Sequence, residues 1–451
     1  MRETGQKTIR IGSGSGFQGD RIEPAVILAA QGNLDYLALE CLAERTIALA
    51  NLRRLQDPGA GYDELLEERL EPLLPLIIKN GTRLITNMGA ANPFAAGHAV
   101  LRLARKLGLH LKVAVLEGDD VLTLMKPDMP VMESGKRLEA YGELVSANVY
   151  LGVEQLLPAL ETRANVIITG RVADPSLFLA PLLYEFGWAL DDWARLGRGT
   201  VVGHLLECAG QVTGGYFADP GVKEVPGIAH LGFPFADVNA EGEALLGKVA
   251  GTGGLIDART VKEQLFYEVL DPTAYTTPDV VADFTQVAVE ELGGDRVRIT
   301  RAGGRARTAT LKTSVGYRAG WVGEGEMSYA GPNAVARARL AGEIMQERIG
   351  DDIPNLRIDL IGMDAAHRTD FGHPHEPYEV RLRVAGATDT RRLAERIGRE
   401  VEALATNGPA GGGGFRRSVA EKIGIVSVLL DREQVQSTIT VLDTSNASQT
   451  A

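Results

Sequence analysis

A chain of 451 residues, 45% of them hydrophobic, has material for roughly two to three domains' worth of core. Its formal net charge of −12, without any clustered basic run, argues against a nucleic-acid footprint. No secretory leader pattern opens the chain, and no apolar stretch approaches the roughly 18 residues of a spanning helix, so a cytoplasmic protein with no membrane partner is expected. Cys41 and Cys208 are too few for a disulfide framework and read as thiols filling the core.

The chain opens with a β-branched run from Thr8 that passes through Gly12, Gly14, Ser15 and Gly16 to Phe17-Gln18-Gly19-Asp20. Pro24 in the next turn starts an apolar-periodic helix with Asp20 as its N-cap, and Tyr36-Leu-Ala-Leu39 is a second strand. Together they make a βαβ unit. At the carboxyl ends of two parallel neighbours, residues 12–20 and Glu40 face one crevice, where open α/β sheets bind ligands.

A helix over 43–54 follows, then a Pro-Gly-Ala-Gly break at 58–61 and a helix ending near Lys79. Strands are predicted at Arg83–Asn87, Lys112–Leu116 and Asn165–Thr169, with a helix through Leu107 between the first two and another from Leu177 after the third. Alternation at this spacing predicts a mostly parallel sheet flanked by helices over 1–187, a Rossmann-like α/β domain.

Residues 188–332 read as an α+β middle region: a helix from Trp188 to Leu206, then a hairpin pairing Arg296–Thr300 with Thr308–Lys312 across Gly303-Gly304. Residues 333–451 read as a C-terminal α+β domain, with helices at 333–349 and 390–404, strands at 356–361, 379–384 and 423–430, and a polar end from about Ser445.

Each predicted strand of the first region ends in a loop mixing glycine with a charged or amide residue. Asn87 and Asn92, Asp119 beside Asp120, and Arg171 followed by Asp174 all sit there. Turn chemistry favours Gly, Asn and Asp in any case. It does not account for Arg171 or the paired acids, and a convergent polar site is expected. Arg171 is suited to stabilise developing negative charge, while Asp20, Glu40 or Asp174 moves a proton. Of these, Asp20 near a helix N-terminus is the expected base. The alternative for Arg171 and Asp174 is a salt bridge with Asp174 capping the helix that Pro175 begins.

Gly14-x-Gly16-x-x-Gly19 with Glu40 downstream matches the spacing of a dinucleotide fingerprint. Acids at the helix start, Asp20 and Glu23, would oppose a pyrophosphate there. A substrate-binding loop, with Ser15 and Gln18 as donors, is the other functional reading, beside a plain glycine turn.

His373 and His375 flank Pro374 and would send both rings to one side, a start for a divalent metal site; their spacing fits no established zinc pattern, so no metal is expected. Gly411, Gly412 and Gly413, followed by Arg416 and Arg417, offer unencumbered N–H groups beside positive charge, a nest for a phosphate or carboxylate; a flexible solvated loop is the alternative.

Several long phrases carry a resemblance: Asp35-Tyr-Leu-Ala-Leu-Glu-Cys-Leu-Ala-Glu-Arg-Thr46, Thr86-Asn-Met-Gly-Ala-Ala-Asn-Pro93, Ile168-Thr-Gly-Arg-Val-Ala-Asp-Pro-Ser-Leu177, the run Gly203–Pro220, and Ser328-Tyr-Ala-Gly-Pro332. From about Thr8 to Leu430 the chain resembles the acyclic terpene utilisation AtuA family. The family takes its name from gene clusters that degrade citronellol and geraniol and also encode acyl-CoA carboxylase subunits and hydratases. The resemblance implies a role near branched or unsaturated acyl-CoA substrates and carries over no catalytic residue.

The resulting expectation is a catabolic enzyme of acyclic terpene or related branched acyl-CoA or carboxylic-acid breakdown, using acid/base chemistry as a hydratase, lyase or hydrolase. A CoA thioester is then substrate rather than cofactor, and a homo-oligomer is expected. Two rival readings stand beside it: a non-catalytic accessory subunit binding acyl-CoA carboxylase subunits, and an NAD(P)-dependent oxidoreductase using the Gly14 loop.

Overall fold

The computed structural model describes residues 7–368 and 376–445. Its first elements are β1 (Thr8–Ser15), α1 (Glu23–Gln31), β2 (Tyr36–Leu39), α2 (Glu44–Gln56), α3 (Leu66–Asn80), β3 (Arg83–Thr86), α4 (Pro93–Lys106) and β4 (Lys112–Glu117). Then come β5 (Leu144–Val149), α5 (Val153–Glu161), β6 (Val166–Thr169), α6 (Ser176–Phe186) and α7 (Trp193–Glu207). The middle holds β7 (Pro234–Asn239), β8 (Ala244–Lys248), α8 (Ala258–Phe266), β9 (Tyr275–Thr276), β10 (Val281–Asp283), β11 (Ala288–Glu291), β12 (Val297–Thr300), β13 (Gly303–Arg305) and β14 (Thr310–Ala330). The chain closes with α9 (Ala334–Ile349), β15 (Arg357–Ile361), β16 (Glu379–Thr388), α10 (Arg391–Asn407), β17 (Gly413–Asp431) and β18 (Thr438–Asp443).

These residues fold as a mixed α/β protein in two compact units. The first takes in 7–138, 145–315 and 425–445; the second takes in 139–144, 316–368 and 376–424. The first unit is built on a ten-stranded sheet of order β11-β12-β8-β7-β1-β2-β3-β6-β4-β18. Its centre is parallel: β1 with β2, β2 with β3, β3 with β6 and β6 with β4. The runs Tyr-Leu-Ala-Leu of β2 and Val-Ile-Ile-Thr of β6 are buried at every position, the pattern a strand shows when helices cover both its faces. β7 and β18 add antiparallel neighbours on either side of this centre.

The helices of the centre start and stop where local chemistry dictates. Asn92 accepts from the Ala95 N–H to cap α4, whose first residue is Pro93. Gly81 closes α3 at φ +70°, a left-handed conformation that glycine adopts without steric penalty. α1, α3 and α4 pack Leu28, Leu70, Leu74, Ile77 and Val100 into one core with Leu37, Leu84 and Val115 of the sheet. In the second unit α9 and α10 pack Ala338, Met345, Ile397 and Val401 against Met327, Leu382 and Val384 of a sheet ordered β15-β16-β14-β17.

Three local readings are corrected by the fold. The hairpin predicted across Gly303-Gly304 does not form: β12 pairs with β8 and β11, β13 pairs with β10, and residues from Thr310 start β14. Two short segments with turn residues between them satisfy the hairpin pattern, but each pairs with other strands of the fold. The helix read from Trp188 starts at Trp193, capped by Asp192, whose side chain accepts from the Arg195 N–H. Asp20 is not an N-cap; α1 is entered through Ile22 with no side-chain cap.

Candidate functional site

The glycine segment after β1 is a closed loop. Gly14 and Ser15 are strand residues of β1, and a Cβ on Gly14 would lie 2.4 Å from a Leu39 methyl, so glycine permits the close approach of β1 to its neighbours. Beyond the strand, Asp20 folds the chain back: its carboxylate accepts from the Gly16 N–H at 2.9 Å and the Arg21 N–H at 2.8 Å. Arg69 of α3, fully buried, donates through Nη2 to the carbonyls of Gln18 and Asp20, holding the loop from behind. The Gln18 amide lies 3.5 Å from the Asp63 carboxylate. Gly16 rests on the end of α7, where a Cβ would meet the Cys208 backbone at 2.5 Å.

Glu40 follows β2 and is buried, with Oε1 accepting from the Leu42 N–H at 2.7 Å and the Asn87 amide at 3.0 Å. Asn87 in turn accepts from the Cys41 N–H at 2.8 Å, so the residue after β3 fixes the carboxylate after β2. Arg171 follows β6 in the same way. Its backbone N–H donates to Asp119 at 2.9 Å, and Asn148 donates to the same carboxylate oxygen. Gly170 is obligatory beside it, since a Cβ there would sit 2.2 Å from an Asp119 oxygen.

The Arg171 guanidinium is 2% exposed. Nη1 donates to the Leu42 carbonyl, Nη2 donates to Asp174 at 2.6 Å, and the plane lies 4.1 Å over the Tyr150 ring, while Nε is buried without a partner. The Tyr150 hydroxyl donates to Glu44 in the first turn of α2. From the last turn of α7, Glu207 pairs through Oε1 with His204 Nδ1 at 2.8 Å; Glu207 Oε2 and His204 Nε2 are both buried without a partner. Glu40, Glu44, Tyr150, Arg171, Asp174 and Glu207 line one cleft of about 510 Å³, together with Gly16–Gly19, Cys208 and Tyr267.

The electrostatics are those of an acid cluster short of cations. Burial raises Glu40 above the usual carboxylate range, with Arg171 and its hydrogen bonds opposing and Glu207 adding to the rise. Burial also lifts Asp174 well above its ordinary value; Arg171 opposes, while Glu40, Glu207 and Glu44 push it further up. Asp174 is nonetheless 34% exposed along the cleft, so water reaching it moderates that rise. Glu44 behaves oppositely: burial works against its charge, but the Tyr150 hydroxyl, Arg171 and Lys312 outweigh it and hold the carboxyl at about 2. Arg171 stays charged, because its acidic neighbours and Tyr150 outweigh the cost of burial. Burial puts Asp119 at about 6 and raises the Cys41 and Cys208 thiols above their normal range. Asp20 is raised as well, by burial, and both its oxygens are engaged in closing the glycine loop.

The strand-end residues named from sequence thus divide into layers. Glu40, Arg171, Asp174, Gly16, Gln18 and Gly19 line the cleft; Asn87 and Asp119 lie beneath it, orienting Glu40 and Arg171. Asp20 lines a neighbouring apolar cleft of about 580 Å³ that shares Gly16, Phe17, Gly19, Cys208 and Tyr267 with the first. Asn92 is occupied as the α4 cap, its amide donating to the carbonyls of Pro58 and Ala60. Gly411, Gly412, Gly413 and Arg416 belong to the second unit, where β17 begins at Gly413. His373 and His375 lie outside the described residues. Among the described residues no group of three or more His, Cys, Asp or Glu side chains could hold a metal ion, and no helix is long and apolar enough to cross a membrane.

Sequence reasoning passed over Glu44, Tyr150 and the His204–Glu207 pair. The last carried a usable signal: an acid and an imidazole three residues apart at the end of a helix face the same way, immediately before a glycine loop. Tyr150 gave none, since it follows β5, a strand not anticipated.

Fold and cleft together define an α/β protein whose parallel strands deliver a buried guanidinium and several carboxylates to one pocket at their carboxyl ends. The chain belongs to the acyclic terpene utilisation family of protein AtuA, which it matches over residues 9–441. No curated protein and no solved structure matches it.

Proposed function

We propose that the first unit is an enzyme acting by acid/base chemistry on a carbonyl compound of acyclic terpene or branched acyl breakdown, a hydratase, lyase or hydrolase of an acyl thioester. The observation that carries this reading is the arrangement of Asp174 and Glu40 around Arg171: a carboxyl with a raised pKa, open to the cleft, beside a second acid and a fixed positive charge. Such a pair holds its proton to higher pH than an isolated carboxylate does, and so is better placed to deliver one. Arg171, charged throughout, stabilises negative charge developing on a carbonyl oxygen. Asp174 is the proton donor and acceptor, and Glu40 sets its protonation. Asp20, tied into the loop, shapes the apolar approach.

The test is a thermal-shift screen of saturated and unsaturated acyl-CoA thioesters, since a ligand of the native state raises apparent stability by mass action. Each ligand found is then incubated with the protein in D2O and followed by NMR. Deuterium uptake next to the carbonyl, or water addition across the double bond, abolished in Asp174→Asn, supports the reading. Turnover that Asp174→Asn leaves intact refutes it.

A further inference from the structure

The charges around the cleft are lopsided. Five of its lining residues, Glu40, Glu44, Asp174, Glu207 and Glu268, carry carboxyl groups, Arg171 is the one cation among the lining residues, and Lys312 pairs with Glu44 at 3.2 Å. That cation already serves the Leu42 carbonyl, Asp174 and the Tyr150 ring, and its Nε is buried without a partner. A carboxylate recognised by arginine normally takes two parallel N–H donors of the guanidinium fork. Here Nη2 already serves Asp174 and Nη1 a backbone carbonyl, so a carboxylate seeking both would compete with Asp174 for the fork. Glu207 Oε2, buried without a donor, adds an acceptor to the same wall. The neighbouring cleft, which shares Gly16 and Phe17, is lined by Ile228, Leu231, Phe233 and Tyr267 beside Asp20 and Arg21, a mostly apolar surface suited to a hydrocarbon chain.

From this we infer that the site selects its substrate by charge: it takes an apolar chain whose reacting head is uncharged, such as a thioester, ester or alcohol, and rejects the free carboxylate. This inference rests on the acid/base reading of the same cleft and narrows its substrate class. Where they are ionised, as Glu44 is, the carboxyl groups of the cleft repel a further anion at low dielectric, and a partner is excluded as much by unpaired charge as by shape. A CoA thioester meets the requirement at its carbonyl, with its phosphates kept outside the acidic pocket. A free acid does not.

The experiment compares three probes of one chain length, n-octanol, n-octylamine and octanoate, by calorimetric titration at pH 8 and low salt. Octanoate should bind at least about tenfold more weakly than octanol, with octylamine no weaker than octanol. Glu268→Gln, an exposed position on the cleft, should narrow the gap between octanol and octanoate. Octanoate binding as tightly as octanol overturns the inference, and so does the absence of binding by all three. The same titrations on Asp174→Asn separate the two readings. If octanoate binds as tightly as octanol to the wild type and its affinity changes in Asp174→Asn, charge selection is wrong and the site stands; binding of all three probes that ignores the substitution removes the site itself.

Discussion

Arg171 and Asp174, three residues apart on the loop after β6, face each other at 2.6 Å with the guanidinium buried and the carboxylate one-third open to the cleft. The pair is therefore both the local anchor of the loop and the point where the acid cluster opens to the cleft. Removing the cation leaves Glu40, Asp174 and Glu207 with no positive charge within the cleft lining. Arg171→Met should cost about 3 kcal/mol, the low end for breaking a buried pair because Asp174 is partly solvated. Arg171→Lys keeps the charge but cannot reach the Leu42 carbonyl and Asp174 together, and should fall between. Urea unfolding of the two variants checks the order; an Arg171→Met protein as stable as the wild type contradicts it.

Glu40→Gln should shift a pH profile in a definite direction. Glu40 raises the Asp174 pKa by like-charge repulsion, so neutralising it lets Asp174 ionise more readily. If Asp174 works as the protonated acid, activity is lost on the alkaline side as it ionises. That alkaline limb of kcat then moves to lower pH in Glu40→Gln. Gln keeps the Oε1 acceptor for the Leu42 N–H, so the fold is retained. An unmoved or upward-shifted limb would show that Glu40 does not govern the acid.

Asp20→Asn tests the loop. Asn supplies one acceptor where Asp20 supplies two, for the Gly16 and Arg21 N–H groups. Stability should drop by about 1 kcal/mol, while turnover stays within a few-fold of wild type. A loss of turnover by a factor of about 10² or more without destabilisation would return Asp20 to the role of base.

Much of this arrangement was legible because strand-end residues cannot go far. A parallel strand of apolar residues has one possible environment, so Glu40, Asn87, Asp119 and Arg171, each just past such a strand, were bound to meet at one end of the sheet. What period and spacing do not encode is depth. Whether Asn87 faces a ligand or, as it does, holds Glu40 and Cys41, depends on packing between neighbouring loops. The N-cap reading of Asp20 failed for a related reason: its carboxylate had a nearer partner in the Gly16 N–H than in the helix. Glu207 reaches the cleft across the fold from α7, a contact no local pattern predicts.

Asp119 ties pH to folding. Its carboxyl is raised from 3.8 to about 6 by burial. The folded state then binds its proton more tightly than the unfolded chain does, so this contribution to stability is full below pH 3.8 and is lost as pH rises through about 6. Asp119→Asn lacks it at every pH. Compared by urea unfolding, wild type should lose about 2 kcal/mol relative to Asp119→Asn on going from about pH 4.5 to about pH 7. A difference that stays constant, or one that grows towards neutral pH, contradicts the assignment.

On this reading Asp174, not Asp20, handles the proton. It is tested most directly by measuring kcat for Asp174→Asn and Asp20→Asn side by side, on the first thioester the protein turns over, with ligand binding measured for both. The expected result is a fall in kcat of about 10² to 10⁴ for Asp174→Asn with binding retained, and near-normal kcat for Asp20→Asn. Normal kcat in Asp174→Asn, or the loss appearing in Asp20→Asn instead, would contradict it.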